Sequence, residues 1–402
     1  MTAEARTPSN ADARPDFGTL MTRAVEMRPL IEREAPACEE ARTLTQPVVD
    51  ALWDTGLMQC INPVEAAGSG LAFEELVDLW QEMAWQDASL GWIGIANLPS
   101  SAFAAAFLPD AGFDEVFVQN GHRVTMGGQF APNGRGELVD GGVRLTGQWN
   151  FGSGTGHSQY VVGGYMPCEN GVPRIAENGL PEMRVAVMPR DEVTFTDGWH
   201  VQGLKGTGSF DYECADVFVP EHRTYELFTR DALRGGPLYR LGIMPLTGTG
   251  HAAWALGVAR SALDDVVALA QEKVRMGDLT TLAYKPTFQR NLAHHEGMWR
   301  AARRLVRDTA AEIGAAMEAG EELTQQMRMD VRLAATYATE ACREVVTFAH
   351  LAAGTSSIRE GSRLERAFRD MMTGTQHAFI SEKIYVECGE LLVGVRDENF
   401  SL

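Results

Sequence analysis

The chain has 402 residues, 45% of them apolar and 22% charged, a globular composition with ample material for a core. Its 54 acidic side chains against 35 basic ones give a net charge of −19, which repels phosphate backbones and argues against nucleic-acid binding. No apolar run approaches the ~18 residues a membrane helix needs. The six cysteines (Cys38, Cys60, Cys168, Cys214, Cys342, Cys388) form no CxxC or Cys/His cluster, so neither a disulfide scaffold nor a metal site is expected. A reduced, cytoplasmic protein with no membrane attachment is the expectation that remains.

Residues 1–16 mix proline, serine, asparagine and both charge signs without an apolar signal core, and read as a flexible tail. From Leu20 the apolar positions recur at helical spacing: Met27, Leu30, Ile31 and Cys38, then Val48, Leu52 and Leu57. Pro29 and Pro36 are expected to kink or divide the first helix. Phe73 to Met83 and Ala88 to Leu108 supply two further helices, completing a helical domain over 17–119. Glycine then becomes dense and the period changes to two, with Val143 and Leu145 alternating against Arg144 and Thr146. Asp140-Gly141-Gly142 is a hairpin signal. Residues 120–234 are therefore read as an antiparallel β domain. Beyond it, Gly250–Val274, Pro286–Ala319, Glu321–Ala353 and Leu364–Leu392 are four long helical runs, with Gly320 and Gly354 at helix ends. An up-down four-helix bundle over 235–402 is the simplest packing for them.

An α+β chain in this order and of this length resembles the acyl-CoA dehydrogenase architecture. The segment from Leu145 to Ser153, Leu-Thr-Gly-Gln-Trp-Asn-Phe-Gly-Ser, resembles that family's strand along the flavin. Trp199 to Ser209, followed by Asp216 to Glu221, resembles the close of its β domain. Leu364 to Asp370, with its Arg-Asp pair, resembles the entry to its last long helix. Three details resemble the oxygenase branch of the family, the oxygenase components of two-component phenol hydroxylases and dibenzothiophene monooxygenase. Where a dehydrogenase carries a catalytic glutamate, this chain reads Thr373-Gly-Thr-Gln-His377, with histidine at the oxygenase position. Ser153-Gly-Thr-Gly-His157 is similar to their Ser-Gly-x-x-His, and Gln129 to Gly136 to their Ala-Pro-x-Gly loop. One departure is plain. After Gly91-Trp92 the chain reads Ile-Gly-Ile-Ala-Asn97-Leu-Pro-Ser100 and lacks the histidine that helps phenol-hydroxylating members deprotonate their substrate.

The resemblance implies a flavin-dependent monooxygenase. It would use reduced FMN or FAD from a separate flavin reductase, with O2, through a C4a-hydroperoxyflavin. The substrate would be a small organic molecule, aromatic or apolar, and the assembly a homotetramer. Ser153 would contact the flavin N5 edge; a serine satisfying its own Gly-Ser-Gly turn is the plainer alternative. Phe151 and Trp149, two and four residues before it, share its strand face and would either stack on the flavin or pack the core. Gln129 lies in a glycine-containing loop that brings backbone close to the flavin, or in a strand bulge. Arg275 would reach cofactor phosphates, or carry surface charge. His377 is the catalytic candidate, as a donor or base tunable near neutral pH. Trp92, Asn97 and His157 are placed at the substrate, His157 alternatively capping the strand.

The absence of a GxGxxG between strand and helix fits an enzyme with no nicotinamide site of its own. The competing reading is an FAD-dependent acyl-CoA dehydrogenase-like dehydrogenase or oxidase, with Glu382 or Glu387 replacing the missing glutamate. A non-catalytic flavin-binding scaffold is the third.

Overall fold

A computed structural model describes residues 14–177 and 179–399; residues 1–13 of the expected tail lie outside the described residues. Helix α1 (Phe17–Glu26) starts where the Asp16 carboxylate accepts the Thr19 amide at 2.8 Å. Pro29 then opens α2 (Arg28–Ala41), where its missing N–H costs nothing, whereas Pro36 lies within that helix. The chain continues through α3 (Gln46–Asp54), α4 (Phe73–Gln86), α5 (Ala88–Phe107) and the short α6 (Asp110–Phe113). Asp87 sets the start of α5, its carboxylate accepting from the amides of Ser89 and Leu90 at 2.9 and 3.2 Å. Helix α5 is long and apolar enough to cross a membrane by composition, but 94% of that stretch is buried inside the protein. It is the central core helix.

Eight strands follow: β1 (Met126–Val139), β2 (Gly142–Gly152), β3 (Tyr160–Glu169), β4 (Val172–Pro173), β5 (Arg184–Pro189), β6 (Thr194–Thr196), β7 (Phe210–Pro220) and β8 (Thr224–Glu226). They form one sheet in the order β6-β7-β2-β1-β3-β5-β8, with β4 beside β3. The expected hairpin at Asp140-Gly141 joins β1 to β2. The sheet is not wholly antiparallel, because β1 and β3 run parallel. Strand β3 reverses the direction of β2 but docks on the far edge of β1, so residues 153–159 must carry the chain across the end of β1. That crossing places Ser153 at the boundary between sheet and helices.

Three long helices follow, α7 (Ile243–Glu272), α8 (Pro286–Glu318) and α9 (Gln325–Ala353); α7 packs against α4 and α5, α8 against α4, and α9 against α7 and α8. The fourth expected helix is broken into α10 (Arg363–Gly374) and α11 (Glu382–Leu392). The break corrects the uninterrupted run read from the sequence, and it carries His377.

Candidate active site

Helix α5 supplies Trp92, α7 supplies His251 and Trp254, and the break after α10 supplies His377. The Trp92 ring lies edge-on to all three, with centroids 5.5 Å from His251, 5.2 Å from Trp254 and 5.4 Å from His377. Edge-to-face geometry at these separations is the favoured aromatic arrangement. The helix end is held against this cluster. At Gly374 a Cβ would stand 2.1 Å from the Trp254 ring, so no larger residue lets α10 approach. The His251 Nε2–H donates to the Gly374 carbonyl at 2.9 Å, and the Trp254 indole N–H donates to the Ala88 carbonyl at 2.9 Å. His377 therefore sits in a loop anchored at its first turn, not on the helical face expected for it.

Burial, and secondarily the positive charge of Arg332, pull the His377 pKa down to about 4. Its ring is neutral at physiological pH. Nδ1 accepts the Phe379 amide at 3.4 Å, which leaves the ring proton on Nε2 as a donor. His251 is pulled down to about 3 by burial and then by His377, and is neutral as well.

A chain of hydroxyls runs from this cluster into the sheet. The Trp92 indole N–H donates to Ser153 Oγ at 3.1 Å; Ser153 Oγ meets Ser209 Oγ at 2.9 Å; Ser209 Oγ meets Thr207 Oγ1 at 2.6 Å; and Thr207 donates to the Leu204 carbonyl at 2.9 Å. An indole only donates and a carbonyl only accepts, so both ends are fixed. Every proton between them must point the same way, from Trp92 towards Leu204. Ser153 thus spends its proton on Ser209, and what it retains for a ligand is a lone pair.

The other expected residues divide. Phe151 does not share the buried face with Ser153: its φ is +61°, the pairing of β2 with β7 slips between Trp149 and Gly152, and its ring is 63% exposed. It stands edge-on to Trp199 at 6.2 Å, on the solvent side of the same strand end. Trp149 takes the second of its two expected roles and packs the core. It is wholly buried within the sheet's own core, stacked on Tyr212 at 5.2 Å and donating to the Gly164 carbonyl at 2.9 Å, with no face left for a cofactor. Gln129 sits beside a bulge in β1, its amide donating to Tyr212 Oη at 2.9 Å and its Oε1 accepting from the Ala131 amide at 3.3 Å.

Asn97 is likewise corrected as a substrate contact. It is fully buried and its carboxamide is consumed: Oδ1 accepts from Thr125 at 2.8 Å and faces His157 Nε2 at 3.2 Å, while Nδ2 donates to Ser158 at 3.1 Å and to the Met126 carbonyl. These bonds rivet α5 to the start of the sheet. His157, held at a pKa of about 4 by burial and then Arg190, faces a separate groove of about 490 Å³ shared with Thr43, Trp53 and Arg123. Arg275 is exposed and donates to the Ala352 carbonyl at 2.9 Å near the end of α9; no contact joins it to the Ser153 group among the described residues.

Sequence reading missed His251, Trp254, Ser209 and Thr207. The His251/Trp254 spacing of one helical turn near the start of α7, and the hydroxyls in Gly206-Thr-Gly-Ser209, were their only local signals.

Residues 249–382 match the family described as acyl-CoA dehydrogenase, C-terminal domain. The chain is 27% identical over 362 residues to an indole-3-acetate monooxygenase of Pseudomonas putida, covering 89% of each protein. It is 28% identical to the oxygenase component of an FADH2-dependent resorcinol hydroxylase from a Rhizobium species, covering 96% of this chain and 97% of that one. Among solved structures, 3-HSA hydroxylase from Rhodococcus sp. RHA1 superposes with a TM-score of 0.88 at 25% identity, over 96% of this chain and 99% of the other. The likeness to acyl-CoA dehydrogenase-fold monooxygenases thus extends along nearly the whole chain, in sequence and in fold.

Proposed function

We propose that this chain, whose residues 249–382 match the acyl-CoA dehydrogenase C-terminal domain family, is the oxygenase component of a two-component flavin-dependent monooxygenase acting on a small aromatic substrate. Reduced FMN or FAD comes from a separate flavin reductase, and O2 is the co-substrate. The observation that carries this reading is the neutral donor His377 beside Trp92, whose indole N–H bonds Ser153 across the boundary of sheet and helices.

The residues at that boundary fit a reduced flavin. Ser153 offers a lone pair, which suits an N–H of the reduced ring system and not the bare nitrogen of the oxidised one. Phe151 and Trp199 present aromatic surface beside it, and the Gln129 carboxamide lies on the neighbouring strand. When bound, the flavin supplies activation of O2 and delivery of one oxygen atom. The chain supplies the rest. His377 keeps a proton on Nε2 and presents it to the substrate's polar group. Trp92, Trp254 and Phe379 exclude water from the space around it. No carboxylate lies in the loop of residues 375–381, so the proton abstraction of a dehydrogenase has no base there.

The same reading divides the chain into helical residues 17–119, a β domain over 120–234 and a bundle over 235–402, and places it in the cytoplasm as a homotetramer. Exposed apolar side chains on the C-terminal helices and their loops support the assembly, among them Met276, Leu279, Leu351 and Val393.

The test is rapid mixing of protein and reduced FMN or FAD with oxygenated buffer containing indole, resorcinol, indole-3-acetate or 4-hydroxyphenylacetate. Oxygenated product should form, and His377→Ala should lower product per O2 by tenfold or more while hydrogen peroxide rises. His377→Asn, which keeps a donor, should retain more coupling than alanine. Parental coupling in His377→Ala would remove the histidine from the mechanism.

A further inference from the structure

One strongly charged group near His377 keeps two donors without a hydrogen-bond partner among the described residues. Arg332, on α9, is 1% exposed, yet among the described residues its Nε and Nη1 find no hydrogen-bond partner. Burial lowers its pKa to about 10, so the guanidinium remains charged at neutral pH. Glu387 lies near enough to favour that charge, but it is bonded to Lys383 at 3.0 Å and gives nothing to Nε or Nη1. A buried charge whose donors are left open is strongly unfavourable unless something completes it.

The position of the group indicates what completes it. Arg332 Cζ is 5.5 Å from the Phe379 ring, and Phe379 stands edge-on to His377 at 4.9 Å. Its charge depresses the pKa of both His377 and His251. On the α7 side, a Cβ at Gly248 would stand 3.0 Å from Nη1, so glycine there leaves that nitrogen uncrowded. The guanidinium therefore closes one end of the aromatic cluster, with open donors in water-poor surroundings. A planar carboxylate is the ligand group that suits a guanidinium fork best, in charge and in the spacing of its oxygens.

We propose that Arg332 is the anchor for a carboxylate carried by the aromatic substrate, so that the enzyme oxygenates an aromatic acid. The inference rests on the oxygenase reading for what happens to the bound molecule, but not for the binding itself. The ring lies among Trp92, His377 and Phe379, and the acid group reaches past it to Arg332. Substrate orientation is then set by an ion pair at one end and the His377 donor at the other.

The test is calorimetric titration with phenylacetate, 4-hydroxyphenylacetate and indole-3-acetate, each against its primary amide. It is run flavin-free and, anaerobically, with reduced FMN or reduced FAD. At least one acid should bind tenfold or more tightly than its amide. Arg332→Gln should erase that preference by weakening the acid and leaving the amide within about twofold, and Arg332→Lys should restore part of it. A bound water would satisfy the same nitrogens without telling acid from amide. The proposal is overturned if no acid outbinds its amide in any of the three conditions, or if Arg332→Gln keeps the preference. The acid-to-amide ratio of the parent protein decides should the glutamine variant fail to fold. Failure of the oxygenase reading shows elsewhere, as no oxygenated product from any aromatic with reduced flavin and O2, while the titration ratio stands.

Discussion

The hydrogen bond from Trp92 to Ser153 joins the helical cluster to the hydroxyl chain, and it can be weighed by a double-mutant cycle. Ser153→Ala strips the buried indole N–H of its acceptor and Ser209 of its incoming proton. An unsatisfied buried donor costs about 1–3 kcal/mol. Trp92→Phe removes that donor and also thins the ring contacts with His251, Trp254 and His377, whose centroids lie within 5.5 Å of the Trp92 ring. A buried aromatic reduced in size costs a few kcal/mol on its own, of the order of ~2. In the double variant the orphaned donor no longer exists, so its penalty is counted once too often in the sum of the singles. The double variant should therefore be more stable than additivity predicts, by about 1–2 kcal/mol.

Urea unfolding at constant protein concentration reads this as a shift in midpoint at unchanged slope. Singles that add to within about 0.5 kcal/mol would show that the 3.1 Å contact carries no coupling. The reasoning about proton direction along Ser153, Ser209 and Thr207 would then fall with it.

Two other perturbations are as direct. Gly374→Ala forces a methyl to 2.1 Å from the Trp254 ring, and overpacking of this kind costs about 1–3 kcal/mol; a thermal midpoint equal to the parent's would mean that α10 is free to shift. The pH dependence of stability follows chiefly from the three most strongly depressed histidines, His157 at about 4, His251 at about 3 and His377 at about 4, against the most strongly raised carboxyl, Asp370, which burial and then Asp87 push up to about 8. Between pH 6.5 and 4 the unfolded chain gains three histidine protons that the folded one refuses, while folded Asp370 holds one that the unfolded chain lacks. The net of two protons makes stability fall on acidification, by at most about 2.7 kcal/mol per pH unit. A urea midpoint that stays level from pH 6.5 to 4 would contradict the burial of these rings.

Helices and strands were legible where one period dominated. Val143 and Leu145 alternate with Arg144 and Thr146 because β2 has one buried and one wet face, and the α5 stretch is apolar all round because it is buried all round. What defeated the reading was long-range. The parallel pairing of β1 with β3 depends on where β3 docks, and nothing in either strand's own sequence records that. Phe151 and Trp149 seemed to share the face of Ser153 because strict alternation was assumed, and the slip in pairing before Gly152 breaks it. The broken fourth bundle helix was hidden because residues 375–381 contain neither proline nor glycine, and Gly374 alone is a weak stop signal inside a helical pattern. The break becomes intelligible only with Trp254 against Gly374 and His251 on its carbonyl.

His377 was found by resemblance, and its partners by geometry, for a physical reason. A donor at an active site needs its pKa moved away from the working pH and its proton assigned to one nitrogen, and other side chains do both. Arg332 and burial lower the pKa, the Phe379 amide occupies Nδ1, and His251 fixes the helix end from which the loop departs. These residues come from α7, α9 and the loop after α10, more than a hundred positions apart in places. Each is unremarkable in its own stretch of sequence. Their joint effect is a neutral imidazole with one exposed task, and it exists only because the break in the fourth helix lets a loop enter the space that an unbroken helix would have filled with apolar packing.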